Sequence, residues 1–361
     1  MDLTQSKALQ PALFRSSGAA LRPACCYSAV PANVTSDKKP PYWTGKTTRV
    51  SQAINVAIDN PALWAIMKLG ARHEMISTAE KAGIPWRKAT QELRDTAELE
   101  QLRAQIEDHT LDYPAYYRRK FHAYKGGNLD WQAACELESA TASLALRIFK
   151  KVKPKPHPNV AADMMRNSFL DTTEDYCKRQ GIQVRKAVDA ACSAGESTRR
   201  LADRFPEAQL AGIDLSPNFL AVAELRRRQA EPGTPAAAVT YVHANAEAIP
   251  VQNRSQDLIS ASYMVHEMPA TATKSFLADA HRALRPGGVI AVVDGDPWSD
   301  VHQKMPLALA TIMKSTEPWA DEYFSLDMFA AMAEAGFDCL EYVPVNKRHR
   351  VMLGVAVRRQ K

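Results

Sequence analysis

Asp189 closes an apolar run, and Ala191, Ser193 and Gly195 alternate through the stretch VDAACSAGEST that follows it. Small side chains in such a turn let a ligand lie directly on the backbone. Asp214, 19 residues after Gly195, ends a second apolar run in AGIDLSPNF, and a carboxylate there can accept both hydroxyls of a ribose. Asn245 in HANAEAIP offers an amide able to address an adenine edge. His266 and Glu267 follow a further run in SYMVHEMP, and Asp294 and Asp296 end GVIAVVDGDP. His266 could remove a proton from an acceptor, or cap a helix. Asp294 and Asp296 could bind a substrate or cap the next element.

These residues fall at the ends of short apolar runs that alternate with helical segments, the pattern of a parallel sheet wrapped by helices. The runs RKAVDAA, QLAGIDL, VTYVHA, DLISASY, GVIAVVD, CLEYVPV and VMLGVAV predict seven strands. Helices are expected at Glu196–Arg204, Pro217–Gln229, Ala272–Leu284 and Leu326–Ala335, with a turn at Pro286–Gly288 ahead of the fifth strand. Only NKRHR separates the last two strands, too few residues for a crossover, so they should pair as an antiparallel hairpin. The fold class expected is α/β, a Rossmann-like seven-stranded sheet with an antiparallel last strand.

The loop is not a dinucleotide fingerprint. Where G-x-G-x-x-G needs its last small residue, Glu196 places a carboxylate at a helix start, which would repel a pyrophosphate and disfavours NAD and FAD. Ala191 and Ser193 are harmless where φ is negative, but a position needing φ > 0 would cost about 1 kcal/mol or more. Gly195 should mark the strictest position.

The 361 residues are 46% hydrophobic and 24% charged, which excludes a wholly disordered chain. No apolar run is long enough to span a bilayer, although peripheral membrane contact stays open. The net charge of +6 collects partly in KKVKPKPHP and at Arg226–Arg228, without the interleaved aromatics that stack bases, so no stable nucleic-acid partner is expected. Six cysteines form no CxxC and no Cys/His cluster, so neither a disulfide framework nor a metal site is expected. Residues 1–40 are rich in Ala and Ser and poor in acids, as in a transit peptide, for a chloroplast first and a mitochondrion second; a plain disordered tail is the alternative.

Residues 45–150 show three- and four-residue apolar spacing, predicting a helical domain, and residues 151–159 a proline-rich linker. A helix over 160–179 then opens a domain reaching 361. Within the helical part, YYRRKFHAY places His122 among aromatics and arginines, a candidate lid over the sheet's edge.

Residues 160–361 resemble a class I S-adenosylmethionine-dependent methyltransferase of the group that includes quinone and small-molecule methyltransferases. VDAACSAG stands for the family's acid and glycine-rich loop, GIDLS for its ribose acid, NAEAIP for its adenine motif, YMVHEMP for the segment after strand four and LRPGG for the turn before strand five. The upstream DYPAYYRRKFHAYKGGNLDWQAACELESAT and the later KSTEPWADEYFSLDMF resemble stretches of plant, algal and cyanobacterial methyltransferase-like proteins. The resemblance implies S-adenosylmethionine as cofactor, with contacts from Asp189, Ala191, Cys192, Gly195, Asp214, Leu215, Asn245, Ala246, Glu247 and Ser262. It implies a small, aromatic or isoprenoid methyl acceptor in an organelle. His266 and Asp294 are then the catalytic candidates, and His122, Tyr263, Glu317 and Tyr323 the substrate-binding ones. A non-catalytic binding protein on this scaffold is the alternative. RNA or protein methylation is disfavoured, because strand four is not followed by Asn/Asp-Pro-Pro-aromatic. Acceptor atom and oligomeric state are not legible.

Overall fold

The computed structural model describes residues 39–45, 52, 72–119, 122 and 124–358. The expected leader and the helical pattern over 47–71 lie outside the described residues, apart from 39, 40 and 52.

Seven strands form one sheet in the order β3-β2-β1-β4-β5-β7-β6. They are β1 (Lys186–Ala190), β2 (Gln209–Asp214), β3 (Thr240–His243), β4 (Gln256–Ser262), β5 (Leu284–Gly295), β6 (Phe337–Pro344) and β7 (His349–Ala356). β7 is antiparallel to both β5 and β6, while the pairs β1–β2, β1–β4, β2–β3 and β4–β5 are parallel. Each expected strand therefore exists, within a few residues of its expected ends. β5 differs most: the expected turn at Pro286–Gly288 is built into the strand as an irregularity, where the register against β4 jumps from Gln256↔Leu284 to Leu258↔Val289. Gly287 takes φ +88° there, a conformation available to glycine.

Alternation along the strands explains the two-sided core. Val188, Ala190, Ile259, Ala261, Ile290 and Val292 pack on one face with Phe276, Leu277 and Met332. Ala187, Leu258, Val289, Ala291, Val351 and Leu353 pack on the other with Phe169, Leu170 and Tyr176. A sheet buried on both faces reads as near-continuous apolar runs, which is why the strands stood out in the sequence.

The helices α1 (72–81), α2 (Trp86–Arg94), α3 (Glu98–Ile106) and α4 (Trp131–Ile148) precede the sheet. The helix α5 (Pro158–Arg179) starts two residues before the expected 160, with Pro158 in its first turn, where the missing N–H is no loss. The sheet is wrapped by α6 (Glu196–Arg204), α7 (Pro217–Arg228) and α8 (Ala270–Ala283), and then by α9 (Asp300–Gln303), α10 (Leu307–Thr316), α11 (Ala320–Ser325) and α12 (Met328–Ala335). The helix expected from Leu326 begins at Met328 because Asp327 caps it, accepting the N–H groups of Phe329 and Ala330.

The leading helices are fastened to the sheet-bearing part. Leu99 and Leu102 of α3 share a core cluster with Phe219 and Val222 of α7. Ser216 Oγ and Asn218 Nδ2 donate to the carbonyls of Asn128 and Leu129 at 2.7 and 2.9 Å. Trp43 is fully buried with its indole N–H on His302 O at 2.9 Å, so residues 41–44 dock against α9–α11.

Among the described residues no helix is long and apolar enough to cross a membrane.

Candidate active site

The sheet reverses its winding between β1 and β4, since β1 leads outward to β2 on one side while β4 leads to β5 on the other. A crevice opens beyond the carboxyl ends of strands at such a point. Here it is lined by Ala191, Ser193, Asp214, Leu215, Asn245, Ala246, Ser262 and Tyr263.

Asp214 faces this crevice from the end of β2. Its Oδ2 accepts the Ser193 N–H at 2.9 Å and its Oδ1 the Ser216 N–H at 2.8 Å. Burial pushes its carboxyl above the usual range, opposed by those two donors. Ala191, Ser193 and Gly195 all adopt the left-handed conformation, with φ of 54°, 50° and 71°. The first two are therefore the strained case rather than the harmless one, at about 1–2 kcal/mol each. A Cβ on Gly195 would fall on the Tyr241 hydroxyl and 2.5 Å from Cζ of that ring, so it is the strictest position by contact as well as by φ.

Four residues expected at the cofactor do not line the crevice: Asp189, Cys192, Gly195 and Glu247. The Asp189 side chain turns inward, where Oδ2 accepts the hydroxyls of Ser197 and Thr198 at 2.7 Å each, fastening α6 to β1. Burial raises its carboxyl to about 6. The Cys192 thiol packs against β2, 2.9 Å from where a Cβ on Gly212 would stand. Glu247 accepts the Tyr116 hydroxyl at 2.8 Å. Asn245 uses its Oδ1 on the Glu247 N–H, which fixes the short helical turn after β3. Ser262 lines the crevice, and its buried Oγ has no hydrogen-bond partner among the described residues.

Beyond β4, Tyr263 turns the chain with φ 58°, an outlier for a bulky residue of the kind that collects at functional sites. This turn delivers Met264, Glu267 and Met268 to the crevice wall and His266 behind it. His266 Nδ1 lies 2.8 Å from Asp294 Oδ1, and its Nε2 lies 3.3 Å from Glu317 Oε2. His122 Nε2 is 3.4 Å from Glu317 Oε1, and its Nδ1 3.9 Å from Glu267 Oε1. The four expected residues His122, His266, Asp294 and Glu317 thus meet in one cluster that reaches the crevice through Glu267. Burial alone would lower His266, but the carboxylates of Asp294 and Glu317 overcome it and hold the imidazole up at about 10.

Tyr323 does not reach the crevice: it is buried and its hydroxyl donates to Gly295 O at 2.5 Å. Asp296 is likewise spent on structure, accepting the Trp298 N–H at 3.0 Å and the Tyr342 hydroxyl at 2.7 Å.

Tyr116 and Tyr117, the first residues of the YYRRKFHAY motif suggested as a lid, line the crevice, and the Tyr117 hydroxyl stands 3.4 Å from Asp214 Oδ1. Sequence reasoning missed Asn128, which lines the crevice and donates to Glu267 Oε2 at 2.7 Å from the same segment between α3 and α4.

A carboxylate-ended β2, a small-residue turn and a switch-point crevice define a nucleoside-binding α/β domain. Residues 187–288 match the family described as "Methyltransferase domain". An uncharacterised methyltransferase of Synechocystis is 32% identical over 152 residues, 42% of this chain and 66% of that protein, so the chain spans just under two thirds of its length. A demethylmenaquinone methyltransferase of Geobacillus kaustophilus is 26% identical over 217 residues, 55% of this chain and 90% of that one. A solved S-adenosylmethionine-dependent methyltransferase from Aquifex aeolicus is 18% identical, with 59% of this chain and 98% of that one covered at a TM-score of 0.41. Residues 187–288 therefore carry a methyltransferase domain, and the relatives that the chain resembles beyond it are methyltransferases as well.

Proposed function

We propose that the chain is an enzyme transferring a methyl group from S-adenosylmethionine to a small metabolite whose accepting atom is reached past Glu267. The observation that carries this reading is Asp214, which faces the crevice while holding the Ser193 turn in place. The residues present fit the cofactor. Asp214 offers the ribose a carboxylate, Ala191 and Ser193 offer a close backbone, Asn245 and Ala246 flank the adenine side, and the unpartnered Ser262 Oγ supplies a polar contact. Bound there, the cofactor supplies an electrophilic methyl on a sulfonium.

The chain's own work is positioning and proton handling. Glu267 sits half-buried on the crevice wall and is raised above the usual carboxylate range, with the raising by desolvation opposed by His122 and His266. Held by Asn128, it can take a proton from an acceptor hydroxyl, with His266 behind it steadied by Asp294. Tyr116 and Tyr117 close the crevice from the helical side and exclude water. An aromatic or isoprenoid acceptor suits the apolar walls of Met264, Met268 and Phe219. The Geobacillus relative is named for demethylmenaquinone, which supports that class. An organellar site of action remains part of this proposal and rests on the composition of residues 1–40.

Calorimetry with S-adenosylmethionine tests the reading. Micromolar binding that Asp214→Ala weakens at least tenfold is expected; a folded wild-type protein that binds neither S-adenosylmethionine nor S-adenosylhomocysteine would leave a non-catalytic scaffold protein.

A further inference from the structure

The chain contributes two imidazoles and one carboxylate to a single point from three distant places in the sequence. Nitrogens of His122 and His266 and an oxygen of Glu317 lie within 4.8 Å of one another. Glu317 reaches His122 Nε2 with Oε1 at 3.4 Å and His266 Nε2 with Oε2 at 3.3 Å. Ligands about 2.0–2.1 Å from a tetrahedral zinc ion stand about 3.3 Å apart, so each imidazole stands at ligand-to-ligand distance from one oxygen of the same carboxylate.

A second observation is independent of those distances. His266 Nδ1 stands 2.8 Å from the carboxylate of Asp294, itself 1% exposed and held by the Gly295 N–H at 2.6 Å. Metal-bound histidines characteristically have a carboxylate beside the other ring nitrogen, and the approach of Asp294 to Nδ1 leaves Nε2 as the nitrogen that faces Glu317. Glu267 completes the surroundings. Its Oε1 is 3.9 Å from His122 Nδ1 and 4.0 Å from His266 Nε2, while Asn128 holds its Oε2. Three carboxylates thus face two imidazoles in a half-buried site, an excess of negative charge that a divalent cation would neutralise. His122 has φ 46° and its N–H donates to Thr316 O at 3.0 Å, a strained backbone pinned one residue from Glu317.

We propose that His122, His266 and Glu317 form a binding site for a divalent transition-metal ion of the zinc type, positioned by Asp294 and open toward the crevice at Glu267. Two histidines and one carboxylate leave a coordination position free, the arrangement of a catalytic rather than a structural site. Its role in turnover rests on the methyl-transfer reading above. An acceptor oxygen at the free position gives up its proton to Glu267, and its lone pair then forms the new bond to carbon as the sulfonium's carbon–sulfur bond breaks and that electron pair stays on sulfur.

The test uses the full chain. Protein reconstituted with Zn²⁺ and freed of excess ion by gel filtration is assayed by inductively coupled plasma mass spectrometry, and apoprotein is titrated with Co²⁺ while visible absorption is recorded. One equivalent of zinc per chain and the intense bands of low-coordinate cobalt are expected. His122→Ala, His266→Ala and Glu317→Ala should each retain less than a tenth of an equivalent, while His73→Ala, on the exposed face of α1, retains all of it. Calorimetry with S-adenosylmethionine on the same chelator-treated samples keeps the two readings apart: cofactor binding within about threefold of the untreated protein is expected. Less than a tenth of an equivalent in wild-type protein that still binds the cofactor overturns the metal site alone. Full occupancy in the three variants overturns it too. Metal bound without any cofactor binding leaves the site standing and defeats the methyl-transfer reading. Should the variants not fold, the cobalt titration of wild-type protein decides by itself.

Discussion

Asp214 and Ser193 are joined by a hydrogen bond of 2.9 Å from the Ser193 N–H to Asp214 Oδ2, tying the end of β2 to the turn that leaves β1. One carboxylate therefore shapes the loop and faces the crevice. Asp214→Asn keeps the volume but presents an amide group to one of two N–H donors. We expect a loss of about 1–3 kcal/mol in urea unfolding, together with at least tenfold weaker S-adenosylmethionine binding by calorimetry. A variant of unchanged affinity would remove Asp214 from the site.

Ser193→Gly and Ala191→Gly relieve the left-handed strain of about 1–2 kcal/mol while adding about 0.4–1 kcal/mol of chain entropy to the unfolded state. Each should leave stability unchanged or raise it by up to about 1.6 kcal/mol. Gly195→Ala, which meets Tyr241, should instead lower it by about 2 kcal/mol or more. Chemical unfolding of the three variants side by side checks the ordering.

The Tyr117 hydroxyl reaches Asp214 Oδ1 at 3.4 Å, a long contact with the oxygen a ribose would use. Tyr117→Phe removes the competitor and keeps the ring as a cover. Affinity for S-adenosylmethionine should hold or rise a few-fold, whereas Tyr117→Ala should weaken it by opening the crevice to water; calorimetry on both variants separates these effects.

Asp189 is raised by burial to about 6 in the folded chain, against about 4 when unfolded. Between those values only the folded state holds the proton, so this group's contribution to stability falls as pH rises from about 4 to about 6, by about 3 kcal/mol, and is constant above. Asp189→Asn keeps an acceptor for Ser197 and Thr198 and should flatten that part of the stability profile, measured by urea melts at half-unit pH steps.

Trp43 is fully buried against α9–α11. Trp43→Ala should cost about 3–5 kcal/mol, seen as a lower melting temperature of the sheet-bearing part. No change would mean that residues 41–44 do not belong to this core.

Much of the sheet was legible because both faces are buried: Val188, Ile259 and Ile290 look one way and Ala187, Leu258 and Val289 the other, leaving continuous apolar runs. The five-residue NKRHR connection was enough to require the antiparallel hairpin of β6 and β7. The turn after β1 and the acid after β2 carry their chemistry in local sequence, so Ala191 and Asp214 could be placed at the crevice in advance. Local sequence does not say which way a side chain turns, and so Asp189, Cys192 and Tyr323, at well-read positions, prove to serve packing.

By itself the sequence determined the strand pattern, the small-residue turn and the resemblance to methyltransferases, because these depend on residues near one another along the chain. Tertiary structure alone decided that Tyr117 covers Asp214, that Trp43 enters the core and that His122 stands beside His266 and Glu317. Those partners are separated by 97, 259 and 144 or more positions. No spacing rule spans such gaps; only the packing of the leading helices onto the sheet brings them together.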